Sequence, residues 1–274
     1  MVSFMKDEFE LRGLAIRKDL NSLKYSDISK THNQVIAMIE NQPIRTVIIR
    51  NWPDEDYLYS VFYRLNSGSL PLSSQELRKA LHGGKLLDYI DDYIKASTPF
   101  TRIFGTIPDR RMRDVELVLR YVSFEQSYKE YAGNLKKFLD DSVTFYDTNW
   151  LSEKNTLDNH LSRLDIALTT ALSVFDNDVF KKWNGDTYEK KTNRAVFDVI
   201  TRFFADPNIT ELVITHKVAI IERFKEVCLD ESFRDAIERT TKTPKAVNDR
   251  HSIWGRELAI IVGKHLDEEN MRLI

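Results

Sequence analysis

From about residue 100 onward the apolar residues of this chain recur every three or four positions, and that pattern restricts the fold to packed helices. Leu161, Leu164, Leu168, Leu172 and Phe175 hold the spacing. Val196, Phe197, Ile200, Phe203 and Phe204 repeat it behind a Thr192 or Asn193 cap, and Val115, Leu119 and Val122 share one face. Val213, Val218, Ile220, Ile221 and Phe224 predict another core helix, and residues 247–267 a last helical stretch. Such spacing lines one side of a helix of 3.6 residues per turn. Asn184-Gly185-Asp186 and Asp206-Pro207-Asn208 punctuate the run. The 9 Gly and 7 Pro in 274 residues argue against a loop-rich or all-β chain.

The first hundred residues read differently. Ile44-Arg45-Thr46-Val47-Ile48-Ile49-Arg50 is the clearest strand, short and rich in β-branched residues. Residues 9–13 alternate and form a second, shorter candidate. One or two strands are not stable alone. Helices must cover their edges, or sheet partners must come from another chain or from sequence upstream of Met1. A helix over 30–41 ends before Pro43, since the residue preceding proline avoids the helical region. A helix over 54–64 carries an apolar stripe of Leu58, Val61, Phe62 and Leu65, and Asn66-Ser67-Gly68-Ser69 turns the chain. Ser73 with Glu76 matches a capping box, opening a helix that runs to His82 and stops at Gly83-Gly84. Another helix spans Lys85 to Ala96. A composition shift over 97–111 suggests two domains, 1–96 and 97–274. The expected fold class is mainly α, with a small α/β portion followed by a helical bundle.

The net charge is −2, from 40 basic and 42 acidic residues, so no overall basic excess points to a polyanion. The lone cysteine, Cys228, lies in an apolar helical context and reads as a buried hydrophobe; a chain without disulfides fits a cytoplasmic protein. No apolar run reaches the ~18 residues that span a bilayer, so no membrane is expected. No zinc ligand set, phosphate-cradling glycine loop or nucleophile elbow occurs, and no cofactor is indicated.

The turn holding Arg64, Asn66 and Gly68 offers a planar guanidinium near a helix start, a combination suited to phosphate. It suits equally an arginine paired with a carboxylate and an asparagine satisfying its own turn. Arg110, Arg111 and Arg113 are flanked by Asp109 and Asp114 and read as a solvated face, as do Asp91-Asp92 and Asp140-Asp141. Tyr57, Tyr59 and Tyr63 can stack on bases or pack inward.

Phe62, Arg64, Leu65, Asn66 and Gly68, followed by Leu72, Ser73, Gln75, Glu76, Leu77 and Arg78, resemble a block in the N-terminal domain of GmrSD-type restriction enzymes, of the ParB-like superfamily. The similarity is specific over Tyr57–Ile90. It is diffuse elsewhere, where Asn193-Arg194-Ala195-Val196-Phe197 is similar to helical extensions of such proteins. The resemblance implies a ParB-like α/β head with a helical extension, in a nucleotide-hydrolysing or DNA-cutting component of antiphage defence. It implies phosphate contacts by Arg64, Asn66 and Arg78, with DNA or nucleotide as partner. Three features depart from the family. Ser69 replaces a frequent glycine; the catalytic Asp-Gly-Gln-Gln-Arg motif is absent, as though the chain were truncated before it; and nothing around His251 or His265 resembles the metal-binding pattern of the family's C-terminal nuclease domain. Whether the chain is an enzyme is therefore open. The alternative expectation is a non-catalytic helical subunit that self-associates or docks on a catalytic protein partner.

Overall fold

A computed structural model describes residues 2–274 except 44, 45, 47, 49, 53–56, 59, 62, 63, 65–71, 106, 107 and 110. The chain is mainly α: among the described residues it holds fourteen named α-helices and one two-stranded antiparallel sheet. It divides into two compact units, Met1–Tyr57 and Leu58–Ile274.

The smaller unit contains α1 (Val2–Met5), α2 (Tyr25–Thr31) and α3 (Asn33–Glu40). Among its described residues Phe4, Leu20, Ile28 and Ile36 form a buried core, and the Phe4 ring meets Tyr25 edge-on at 5.9 Å. Residues 9–13 are not a strand. Leu11 nevertheless exchanges backbone hydrogen bonds with the 22–23 segment, donating to Leu23 at 2.9 Å and accepting from Ser22 at 2.7 Å. The strand expected over 44–50 falls largely outside the described residues; Thr46, Ile48 and Arg50 carry no regular structure.

The larger unit begins in the helical stretch expected over 54–64, whose described residues Leu58, Ser60, Val61 and Arg64 are helical. Then follow α4 (Ser74–Leu81), α5 (Lys85–Ala96), α6 (Thr98–Phe104), α7 (Arg113–Ser127) and α8 (Leu135–Thr148). Next come α9 (Trp150–Phe175), α10 (Arg194–Phe204), α11 (Thr210–Thr215), α12 (Lys217–Leu229), α13 (Glu231–Glu238) and α14 (Pro244–Val262). The 26-residue α9 is the spine, packing on α6, α7, α8, α10, α11 and α12. Leu157, Leu161, Leu164 and Leu168 are its buried stripe. Each such burial stabilises the fold by roughly 2 kcal/mol. Helix α10 is buried at every position from Ala195 to Phe204, its polar residues Asp198, Thr201 and Arg202 included, so it is a central helix. Helices α12, α13 and α14 pack together around Phe224, Phe233 and Trp254.

The division expected at residues 96/97 lies within the unit Leu58–Ile274. Ser97 ends α5 and caps α6 by accepting from Phe100 N–H, while its hydroxyl donates to Asp165 on α9 at 2.6 Å, so both helices are fastened to one spine. The last helix stops at Val262, where Gly263 takes φ +67°. A hairpin follows, pairing Leu266 with Leu273 and Asp267 with Arg272. The sheet of the described residues thus closes the chain at its C-terminal end rather than near its start.

Candidate functional site

The resembling block is built from its local chemistry upward. Ser73 accepts the Glu76 N–H at 3.1 Å, and Glu76 accepts the Ser73 N–H at 2.6 Å, completing the expected capping box. The Ser73 hydroxyl donates to the Arg111 carbonyl at 2.9 Å, and the Arg111 guanidinium lies 3.3 Å from Glu76. One turn later Arg78 points inward. It is 1% exposed, donates to Asp140 on α8, and is also held by the Gln75 side chain and the Lys136 carbonyl. Arg78, expected at a phosphate, is therefore an interior tie between α4 and α8. Arg64 stands exposed on its helical stretch, and Asn66 lies outside the described residues. Of the carboxylate pairs, Asp91, Asp92 and Asp141 face surface lysines as expected, whereas Asp140 is buried. Cys228 is buried, and desolvation pushes its thiol up to about 12, far from a reactive thiolate.

A buried ionic centre lies elsewhere in the larger unit, at residues that no sequence motif marks. Asp198 on α10, with its side chain fully buried, receives Arg120 from α7 and Arg250 from α14. Arg120 donates through Nε at 3.1 Å and also through a terminal nitrogen. Arg250 donates to Asp198 at 3.1 Å and to the Thr241 carbonyl at 2.7 Å. Beside it Glu125 pairs with Arg202 at 3.0 Å and with Arg272. Arg202 spends its other donors on the carbonyls of Phe124, Asn270 and Met271, which pins the C-terminal hairpin to α7 and α10. The only signal in the sequence is a single charge set within an apolar helical run: Arg120 between Leu119 and Tyr121, Asp198 between Phe197 and Val199, Arg202 before Phe203-Phe204. Next to this centre His251 is buried and its pKa is held well below the ordinary range, chiefly by desolvation and then by Arg250. The ring is therefore neutral, and its Nδ1, 2.7 Å from the Val247 carbonyl, carries the hydrogen.

A cleft of about 380 Å³ opens where the turn before α7 meets the segment before α10. Phe104 and Leu117 form its apolar floor, and Arg113, Lys191, Thr192 and Arg194 its rim. Asp109 pairs with Arg113 at 2.7 Å, and that guanidinium holds the Asp109 carboxyl below its ordinary range. Arg194 pairs with Glu116 at 3.3 Å. Asp114 is buried, accepting from the N–H groups of Asp109 at 2.7 Å and Val115 at 2.8 Å. These bonds fix the turn that places Met112 at φ +53°. Arg113 and Arg194 are 81 positions apart in sequence, and only the fold brings them to one rim.

Among the described residues no helix is long and apolar enough to cross a membrane, and no three His, Cys, Asp or Glu side chains are grouped to hold a metal ion. No protein-family model, curated protein or solved structure matches the chain.

Proposed function

We propose that this chain is a component of a restriction-type antiphage defence system, similar to the GmrSD enzymes, which engages nucleotide or DNA in the cytoplasm without a catalytic motif of its own. The supporting observation is the division of labour within the resembling block. Ser73, Gln75, Glu76 and Arg78 hold α4 in place, while Arg64 is left exposed at the surface. An exposed guanidinium suits contact with a phosphate oxygen.

Arg64→Ala should weaken binding of a labelled duplex or nucleoside triphosphate by about tenfold, the size of one charge-assisted hydrogen bond, with the melting curve unchanged. Unchanged affinity removes Arg64 from the interface. The defence role is tested in source cells: deleting the reading frame should raise phage plating efficiency, and equal plating with and without it would sink the role.

A second reading, a non-catalytic helical subunit docking on a catalytic partner, is favoured by the smaller unit. Among its described residues it buries four large apolar side chains and leaves Val2, Ile16 and Met38 at 66%, 94% and 73% exposure. A partner that covers those three side chains removes their apolar surface from water. A partner purifying at fixed stoichiometry supports this reading; a monomer that binds DNA or nucleotide unaided counts against it.

A further inference from the structure

We infer that the cleft rimmed by Arg113, Lys191 and Arg194 binds a small phosphate ester carrying a planar ring. The inference does not rest on the defence reading and uses none of the block residues Arg64, Asn66 or Arg78.

The rim is the first observation. Arg113 opens α7 and Arg194 opens α10, so both cations sit at the positive ends of helix dipoles. That placement is unfavourable for a cation in isolation. Those two arginines and Lys191 bring three cations to one cleft, beside the carboxylates Asp109 and Asp114, of which Asp114 is buried and spent on backbone N–H groups. Their protein partners leave them available. Arg113 and Arg194 are 64% and 48% exposed, and ion pairs at such exposure are worth at most about 1 kcal/mol, which a phosphate can replace. Lys191 is exposed, with no carboxylate partner among the described residues.

The floor is the second. Phe104 is held by Phe180, nearly parallel at 6.2 Å, and by Phe197 at 6.2 Å, so it offers a fixed aromatic surface beside Leu117. A planar ring gains from such a floor what a bare anion cannot. The acceptors are the third: Asp109 lines the same cleft and offers a carboxylate to hydroxyl or amine groups of the ligand body. The volume falls in the range of small-ligand sites, about 300–1,000 Å³. The basic groups converge on one cleft rather than forming a stripe, and the chain's net charge is −2, so a single small anion fits better than a strand.

The test is titration calorimetry at low ionic strength on the full chain, with adenosine monophosphate, adenosine, inorganic phosphate and a short single-stranded oligothymidine as probes. The expected result is saturable binding of the monophosphate, with adenosine and phosphate each at least about tenfold weaker. Lys191→Glu combined with Arg194→Gln should weaken the monophosphate by a further tenfold or more, with an unchanged melting curve since both side chains are exposed. Arg64→Ala should leave it unchanged. Phe104→Leu should reduce the preference for the monophosphate over inorganic phosphate; it touches the core, so the charge variant carries the decision if it misfolds. The inference is overturned by no saturable binding, by wild-type affinity in the charge variant, by phosphate binding as well as the monophosphate, or by tighter binding of the oligonucleotide. Loss of binding in Arg64→Ala but not in the charge variant would overturn the cleft while leaving the proposed function standing.

Discussion

Asp198 is the shared partner of two buried arginines, Arg120 and Arg250, which are 6% and 0% exposed and come from other helices. An arginine cannot shed its proton, so removing the carboxylate strands two buried charges. Asp198→Asn should therefore cost at least about 3 kcal/mol, read as a lowered urea midpoint. A loss below about 1 kcal/mol would show that water reaches the centre. The same logic applied to Asp140 and Arg78 explains why the block's second arginine is structural. Its side chain was legible as charged, but nothing in Gln75-Glu76-Leu77-Arg78 says whether that charge faces water. Asp140 had the same ambiguity from the other side: it adjoins the exposed Asp141 and also borders the buried Leu139 and Val143.

At the scale of elements, the α5 start shows how a glycine and a distant carboxylate act as one device. Gly84 precedes α5, and Asp147 from α8 accepts the Leu86 N–H at 2.8 Å, capping a helix that has no local side-chain cap. A Cβ on Gly84 would lie 1.8 Å from an Asp147 carboxylate oxygen. Gly84→Ala must push that carboxylate away, losing about 1 kcal/mol of capping. In an Asp147→Ala background the same change should be nearly neutral, so a double-mutant cycle should return a coupling of about 1 kcal/mol. Additive losses would mean that the glycine serves the backbone alone. The α4 capping box, the Asn193 cap and the Lys85–Ala96 helix were readable because caps and periodicity are local. The C-terminal hairpin was not. Its strands are two residues each, too short for an alternation pattern, and it is held by Arg202 reaching the carbonyls of Asn270 and Met271.

For the whole molecule, burial of histidines ties stability to pH. His251 and His160 both have native pKa values lowered by desolvation from 6.5. Above pH 6.5 they are neutral in both states and contribute no slope. Below it the unfolded chain takes up protons that the native chain refuses, so stability falls as pH falls. The slope approaches about 1.4 kcal/mol per pH unit for each histidine until its native pKa is reached. The charged neighbours of His251, Arg250 and Arg202, keep their charge throughout that window. The urea midpoint should thus be lower at pH 5.5 than at pH 7.5, and His251→Gln should flatten the difference. An identical slope in the variant would remove His251 as its source.

The sequence by itself determined the mainly helical class, most core helices and their caps, because apolar periodicity and capping chemistry act within one turn of the chain. It also marked Arg64 and Asn66 as polar groups near a turn, and Arg78 as a charge on the helix that follows. Only the tertiary structure decided where the charges go. Arg78 is consumed by Asp140 some 62 residues away, Asp198 gathers arginines 78 and 52 residues away, and the rim of the basic cleft joins two helix starts far apart in sequence. Charge pairing across helices depends on packing register, and no local pattern in the chain encodes that register.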